Sequence, residues 1–589
     1  MNSKLIIRIV CLVLVVLLVL GFVITLLPTG TPAAAGSYPA TQKVAIGLMY
    51  GASATKSCAL SSPGGFSLGY VHTGEFTALI ENGSSALTVQ STASAYRVQF
   101  SVDEGVADFT VQYAELREIA QKAGYSAFPA FADSGLCVRA GSFSDRAAAE
   151  AAVTKLKNTY AVDCTVAAPT SSTLTVTGGG ATVFEFVGSA SLALGVRAIA
   201  PYYITLPDGY TYDGVMRFTR AGDAMTVVNV LPLETYVEGV LPYEISSSWN
   251  KETQKAFAVC VRSYTLANLG KHASTYDFDL CATTDCQVYR GVDGVTDTVR
   301  ECVRDTRHMV LTYDGRPVGA YYSSSTGGCT ASAYDVWGGT SFPYLSAIPT
   351  PWEKYSSYSN GSWTAEASPQ ALYQALTNKG YTGLSGAVSG IKVNSLAENS
   401  TYVNSITVTD VNGKSITISK CDRIRTALSS YVKSANFVVG RGGEPLNITD
   451  YSYDFDLSKQ QISGFSVRTV YGDQILPESG GIRTTESTFT DLSSLRILTA
   501  TGATMDLSAA RRTVSALPDL STATVKTTQR TVTAEGQKGN FVFVGRGWGH
   551  GVGLSQYGAK DLGDLGYGYD VILSSYFPKA ELANMTALD

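Results

Sequence analysis

Three glutamates, Glu234, Glu238 and Glu244, share the run NVLPLETYVEGVLPYEISSSWNKETQKAFAVCVRSYTLA from Asn229 to Ala267. A carboxylic acid in apolar surroundings keeps its proton to higher pH and can deliver it to a departing oxygen. Glu244 has the most apolar neighbours, Tyr243, Ile245 and nearby Trp249, and the sequence places it in a loop before a long helix. Glu234 and Glu238 read as structural, with Glu234 the second choice of acid. A different chemistry is offered by Cys281 and Cys286, which enclose four residues, with His272 nine residues before Cys281. That spacing suits a structural zinc chelate and equally a disulfide. A third cluster is the run Gly545-Arg546-Gly547-Trp548-Gly549-His550-Gly551-Val552-Gly553. Its glycines let backbone amides approach a ligand, and Trp548 and Tyr557 offer flat apolar faces. His550 can hydrogen-bond a ligand or the acid, or serve as a satisfied core histidine in a glycine-rich turn.

The elements that must position these groups are legible from period and punctuation. A helix is expected over Asn250–Leu269, with Glu252 in its first turn and a buried stripe of Ala256, Phe257, Cys260, Tyr264 and Ala267. Strands are expected before it, including Val183–Val187 and Ala224–Val230. After it come Ser405–Val411 and Ser415–Ser419 around an Asn412-Gly413 turn, then a short helix near Cys421–Tyr431. Nearer the start, Val44–Tyr50 and Phe66–Tyr70 read as short strands. Between 96 and 166 the period alternates: strands at Tyr96–Val102, Ser126–Phe131, Leu136–Ala140 and Ala161–Val166, helices at Val111–Lys122 and Ser144–Asn158. The order is βαββαβ. In such a sheet Cys137 and Cys164 fall on different strands, where buried thiols are the simpler reading.

A chain of 589 residues is too long for one core. Charged residues are only 16% of it, Ser, Thr, Gly and the 34 Tyr are abundant, and the net charge is −5. That balance speaks against disorder and against a nucleic-acid partner. Lys4 and Arg8 precede the uncharged stretch Ile9–Leu27, which as a helix spans about 29 Å. The basic residues on one side predict a single-pass membrane anchor with the bulk of the chain extracytoplasmic, on the cell-wall side. A cleaved signal peptide ending near Ala33-Ala34-Ala35 is the alternative, which would make the protein secreted. The ten cysteines are too scattered to form a disulfide scaffold. The division expected is 1–35 anchor and linker, 36–93 a small β-rich unit, 94–169 the βαββαβ domain, and 170–589 the domain carrying Glu244.

The run from Asn229 to Ala267 closely resembles the signature of the sporulation stage II protein D (SpoIID) family. The resemblance continues through Asp279-Leu280-Cys281, Cys286-Gln287-Val288-Tyr289, Ala320-Tyr321-Tyr322, Gly327-Gly328, Asp335-Val336-Trp337-Gly338-Gly339 and the block from Gly545 to Ala559. The segment around Leu136–Asp145 with Ala147-Ala148-Ala149 and Leu156 resembles the SPOR domain, whose family recognises peptide-free glycan, although the pattern suits many small α+β domains as well.

The resemblance implies an α+β fold: a mostly antiparallel SpoIID-type domain with one long helix, preceded by a ferredoxin-like SPOR-like domain and a transmembrane helix. It implies a peptidoglycan lytic transglycosylase that leaves 1,6-anhydro ends during sporulation engulfment, with Glu244 as general acid and base. The sugar's own C6 hydroxyl is then the nucleophile, so the second carboxylate a hydrolase needs is dispensable. Arg262 matches a family arginine, to hold a sugar group or orient Glu244. Gln287, Tyr289, Trp548, His550, Gln556 and Tyr557 are implied as substrate-binding residues, and the cleft is expected to be bordered by the Glu244 segment and the Gly545 block. His272, Cys281 and Cys286 are implied as ligands of a structural zinc, no cofactor being required for the chemistry. The sequence departs from the family at Ser246 and Asn250, where prolines are usual, and at Asp285 and Ser323, where histidines are. The implied partners are glycan strands, the membrane and a separate amidase. A rival implication is a non-catalytic wall-binding enhancer of such an amidase.

Overall fold

The computed structural model describes residues 41–91, 95–102, 109–132, 135–355, 361–442 and 538–587, together with strand pieces between 464 and 506. The expected membrane anchor is corrected here. Among the described residues no helix is long and apolar enough to cross a membrane. The helix Lys251–Ala267, with 17 residues, is shorter than the roughly 20 a bilayer requires and carries four basic or acidic residues. The stretch 9–27 that prompted the expectation lies outside the described residues.

The fold is mixed α+β, and the chain divides into two compact units. The first comprises Ser37–Ser247 and Asn268–Arg307. Its strands are β1 (Lys43–Met49), β2 (Ser57–Ser61), β3 (Phe66–His72), β4 (Glu75–Asn82), β5 (Ala86–Gln90), β6 (Tyr96–Phe100), β7 (Ala127–Ala132), β8 (Gly135–Phe143), β9 (Cys164–Ala167), β10 (Thr173–Gly178), β11 (Ala181–Val187), β12 (Ala193–Ala198), β13 (Ile204–Thr205), β14 (Thr211–Tyr212), β15 (Val215–Ala221), β16 (Ala224–Pro232) and β17 (Leu280–Cys281). One sheet runs β17-β1-β16-β15-β12-β3-β4, and a ten-stranded one runs β14-β13-β2-β5-β10-β11-β7-β8-β6-β9. The Val-rich β16 is buried at almost every position because both its neighbours and both its faces are covered. Strands from 43–90 therefore pair with strands from 173–232, joining in both sheets what the sequence divides into 36–93 and 170–589.

The βαββαβ order stands in the structure, with α1 (Phe109–Lys122) and α2 (Arg146–Tyr160) as its helices and β7-β8-β6-β9 as its strand order. Val98, Phe100, Val138, Ala140 and Cys164 form one apolar sheet face, against which Ala120, Ala152 and Leu156 of the helices pack. Asp145 caps α2 by accepting from the Ala148 N–H at 2.9 Å. Among the described residues no disulfide forms, so Cys137 and Cys164 are thiols. This segment is not a separate sheet. β11 runs parallel to β7, with Glu185 opposite Ala130 and Phe131 stacked on Phe186. Glu185, fully buried, accepts from Arg97 at 3.2 Å and Arg139 at 2.9 Å, fastening β11 to β6 and β8.

The second unit comprises Ser248–Ala267 and His308–Asp589. The helix predicted over 250–269 forms at Lys251–Ala267, because Asn250 caps it from outside, accepting from the Glu252 N–H at 2.8 Å. Strand Phe541–Arg546 is the middle of a three-stranded antiparallel sheet, between Ser362–Ala367 and Phe437–Arg441. Val388–Leu396, Val403–Asp410 and Ser415–Ser419 form an antiparallel meander turning at Asn412-Gly413. Ile391, Ile406, Val408, Ile418, Phe541 and Phe543 share its core.

Removing the Glu185 carboxylate leaves two buried guanidinium groups unpaired. Glu185→Ala should cost about 3 kcal/mol of stability, read as a lower urea midpoint of the first transition. An unchanged midpoint would show that this link carries no weight.

Candidate functional site

Helix α3 (Leu233–Glu244) follows β16 without a linker and buries Leu233, Tyr236, Val237, Val240 and Leu241. Glu244 is its last residue, where the sequence reading expects a loop. The difference arises at Pro242. Proline there removes a donor only in the final turn, and the helix closes with the Ile245 N–H bonded to the Leu241 carbonyl. The Glu244 side chain is half-buried, and its Oε1 accepts the Val288 N–H at 2.7 Å.

The segment supplying that N–H is held on both sides. The Tyr236 hydroxyl donates to Gln287 Oε1 at 3.2 Å, and the Tyr289 hydroxyl donates to Asn229 Oδ1 at 2.8 Å. Gln287 and Tyr289 are each 1% exposed. In this structure both brace the segment behind Glu244, where the sequence expectation has them meet substrate. Glu234 occupies the first turn of α3, and burial raises the pKa of Glu238.

Just before this segment, His272, Cys281, Asp285 and Cys286 bring their ligand atoms within 4.8 Å of one another. His272 Nε2 is 3.3 Å from both Cys286 Sγ and Asp285 Oδ2, and the two sulfurs are 3.9 and 3.7 Å from Asp285 Oδ2. Ligands about 2.0–2.3 Å from a tetrahedral zinc are separated by about 3.3–3.8 Å, and two thiolates, an imidazole and a carboxylate are a zinc donor set. The residues fit the ion. The hydrogen bond that His272 donates to Asp285 holds its imidazole up at about 9, and hydrogen bonding, with Cys286 first and then His272 and Thr283, holds Cys281 well below the usual thiol range. Asp279 anchors the ligand loop, accepting the Gly270 N–H at 3.0 Å and the Ala45 N–H of β1 at 2.9 Å. The fourth donor, Asp285, is the residue that sequence reading treats as a departure from the family. The carboxylate's ability to ligate zinc was the signal for it.

The remaining expected site residues belong to the second unit. Arg262 is 0% exposed, and its Nη1 donates to the Met309 carbonyl at 2.9 Å. An arginine closed off in this way ties its helix to the following strand and does not meet a sugar directly. Trp548 is 37% exposed, with Lys433 Nζ 5.3 Å from its ring centre. Its backbone pairs in both directions with Ser325, at 2.8 and 3.2 Å. Gly547 permits this approach: its φ is 77°, and a Cβ there would lie 2.8 Å from the Ser325 carbonyl. The facing loop is organised by the buried Glu353, which accepts from Ser325 Oγ, the Thr326 N–H and the Gly327 N–H at 2.9–3.1 Å. His550 Nδ1 accepts the Val552 N–H at 3.0 Å, and its ring lies 5.0 Å from Trp337. Burial pushes its pKa down to about 4, so the imidazole is neutral at ordinary pH. Gln556 opens the helix Gln556–Asp564, and Tyr557 beside it meets Trp249 edge to face at 5.1 Å.

Residues 221–313 match the model of the stage II sporulation protein family, SpoIID. An uncharacterised protein of Brachyspira hyodysenteriae is 37% identical over 164 residues, 26% of this chain and 44% of that protein. An amidase enhancer of Bacillus subtilis is 27% identical over 348 residues, 59% of this chain and 40% of the relative. Stage II sporulation protein D of the same organism is 24% identical over 251 residues, 40% of this chain and 68% of the relative. The chain thus spans less than half the length of the first two. The matched stretch 221–313 contains α3, Glu244, the four-donor cluster and Val288, while the βαββαβ segment lies outside it. The segment that builds and holds the Glu244 carboxylate is thus the part of the chain that matches the SpoIID family.

Proposed function

We propose that this chain is a peptidoglycan lytic transglycosylase in which Glu244 moves the proton, acting in sporulation engulfment on glycan from which stem peptides have been removed. The observation that carries the reading is a half-buried carboxylate at a helix end whose Oε1 accepts a backbone N–H. Glu244 gives its proton to the glycosidic oxygen as the C1–O bond breaks. It then takes the proton of the C6 hydroxyl as that oxygen bonds to C1, which closes the 1,6-anhydro ring and regenerates the acid without water. A single acid/base group suffices, and Val288 keeps it oriented through both transfers.

The cluster of His272, Cys281, Asp285 and Cys286 is assigned a structural zinc ion, which when bound would neutralise the thiolates and stiffen the loop leading to Val288. The βαββαβ segment supports a SPOR-like wall-binding role. Because Arg97, Phe128 and Arg139 are buried on its helix-free face, glycan contact there falls to the edge around β9, where Thr165 is exposed. A second reading, favoured by the relative named amidase enhancer, is a wall-binding protein that stimulates a partner amidase without cutting glycan.

Peptide-free glycan strands incubated with the purified chain should yield 1,6-anhydro ends by mass spectrometry, and Glu244→Gln should lower their formation by at least about 100-fold. Reducing ends would mean hydrolysis, and binding without cleavage would favour the enhancer. Elemental analysis should find about one zinc per chain, lost in Cys281→Ser together with part of the thermal stability. Zinc-free protein from zinc-replete medium would remove the metal assignment.

A further inference from the structure

Beside Glu244 the first unit carries a cation and two aromatic rings that none of the roles above requires. Tyr243, which precedes Glu244 in α3, meets Tyr210 edge to face at 6.1 Å. Arg290, two residues beyond Val288, lays its guanidinium 5.2 Å from the centre of the Tyr210 ring. All three side chains are half-buried. Among the described residues Arg290 makes no ion pair or side-chain hydrogen bond, and the Tyr210 face is its one side-chain partner. An arginine withdrawn partly from water and ion-paired with no carboxylate is costly to keep, and its planar fork of donors suits one.

The surroundings fix these groups rather than fill them. The Val292 N–H donates to the Thr211 carbonyl at 2.8 Å, tying the chain just after Arg290 to β14. The carboxylates nearby are engaged with backbone and hydroxyl donors. Asp208 accepts from the Tyr210 N–H at 3.0 Å and the Tyr212 hydroxyl at 2.8 Å, and Asp293 accepts from the Thr211 N–H at 2.7 Å. The Tyr243 ring is seated over Gly294, where a Cβ would lie 3.2 Å from it.

We propose that Arg290, held flat on Tyr210, binds a carboxylate of the glycan beside the bond that Glu244 cleaves: the lactyl carboxylate of muramic acid. The proposal rests on the glycan reading given above and adds the specificity. Where a stem peptide is attached this carboxyl is a neutral amide, and its removal uncovers one anion per disaccharide. The Tyr210 and Tyr243 rings supply apolar surface for the sugar carrying it. Preference for peptide-free strands then originates in the catalytic unit itself.

The test measures binding of the full chain carrying Glu244→Gln to intact peptide-free strands, before and after their lactyl carboxylates are converted to primary amides. Amidation should weaken binding about tenfold, the scale of one charged hydrogen-bonded contact. Adding Arg290→Gln should weaken binding to the free-carboxylate strands by a similar factor and abolish the difference between the two substrates. Arg290→Lys should keep part of it. Equal binding of both substrates by the protein with Arg290 intact overturns the proposal, whatever the variants do, and so does a difference that survives Arg290→Gln. Turnover of the free strands with Glu244 present separates the two readings. Carboxylate preference without cleavage sinks the transglycosylase assignment alone, and cleavage without preference sinks the role of Arg290 alone.

Discussion

The hydrogen bond from the Val288 N–H to Glu244 joins the end of a helix to a segment with no regular structure, so its geometry is only as good as whatever fixes that segment. Helix α3 is rigid because it emerges directly from the most buried strand of its sheet. The loop has no such backbone ladder. It relies on Tyr236 and Tyr289, whose hydroxyls pin residues on either side of Val288, and on the four-donor cluster that begins at His272. Asp279 ties the start of the loop to β1, far upstream in the chain of the acid it serves. Distances of a few tenths of an ångström at an acid/base group matter to rate, which is why so many buried polar groups converge behind one carboxylate.

Much of this was readable in advance, for identifiable reasons. The helix Lys251–Ala267 and the alternation between 96 and 167 carry strong periodic signals, and each was located to within a few residues. Glu244 stood out through the motif around it, but its place as the last residue of a helix did not, because the proline two positions earlier imitates a terminator. Gln287, Tyr289 and Arg262 were singled out as ligands, and in the structure all three are buried. Motif membership does not distinguish a group that touches substrate from one that supports it, and burial, which does, is set by tertiary packing. Asp285 and Arg290 were missed for the opposite reason: neither residue type is unusual at a surface, and only the neighbours it meets give it a meaning.

The second unit presents its glycine-rich segment in a comparable way, with Glu353 receiving the donors of the loop that pairs with Trp548. A buried carboxylate saturated with hydrogen bonds and a tryptophan left half in water are complementary choices: the first fixes a backbone, the second offers a face. His550, neutral and bonded through Nδ1, belongs with the fixed groups rather than with the proton carriers.

β5 and β10 are hydrogen-bonded neighbours, with Gln90 opposite Thr175, yet the whole βαββαβ segment is threaded between them in the chain. Topologically it is an insertion whose entry and exit points lie side by side, the geometry in which a module can be gained without disturbing its host. The parallel pairing of β11 with β7 ties the insert to the host sheet. Excising it would expose the bare edge of β11, so host and insert should melt as one cooperative block, and the insert is separable in topology but not in stability.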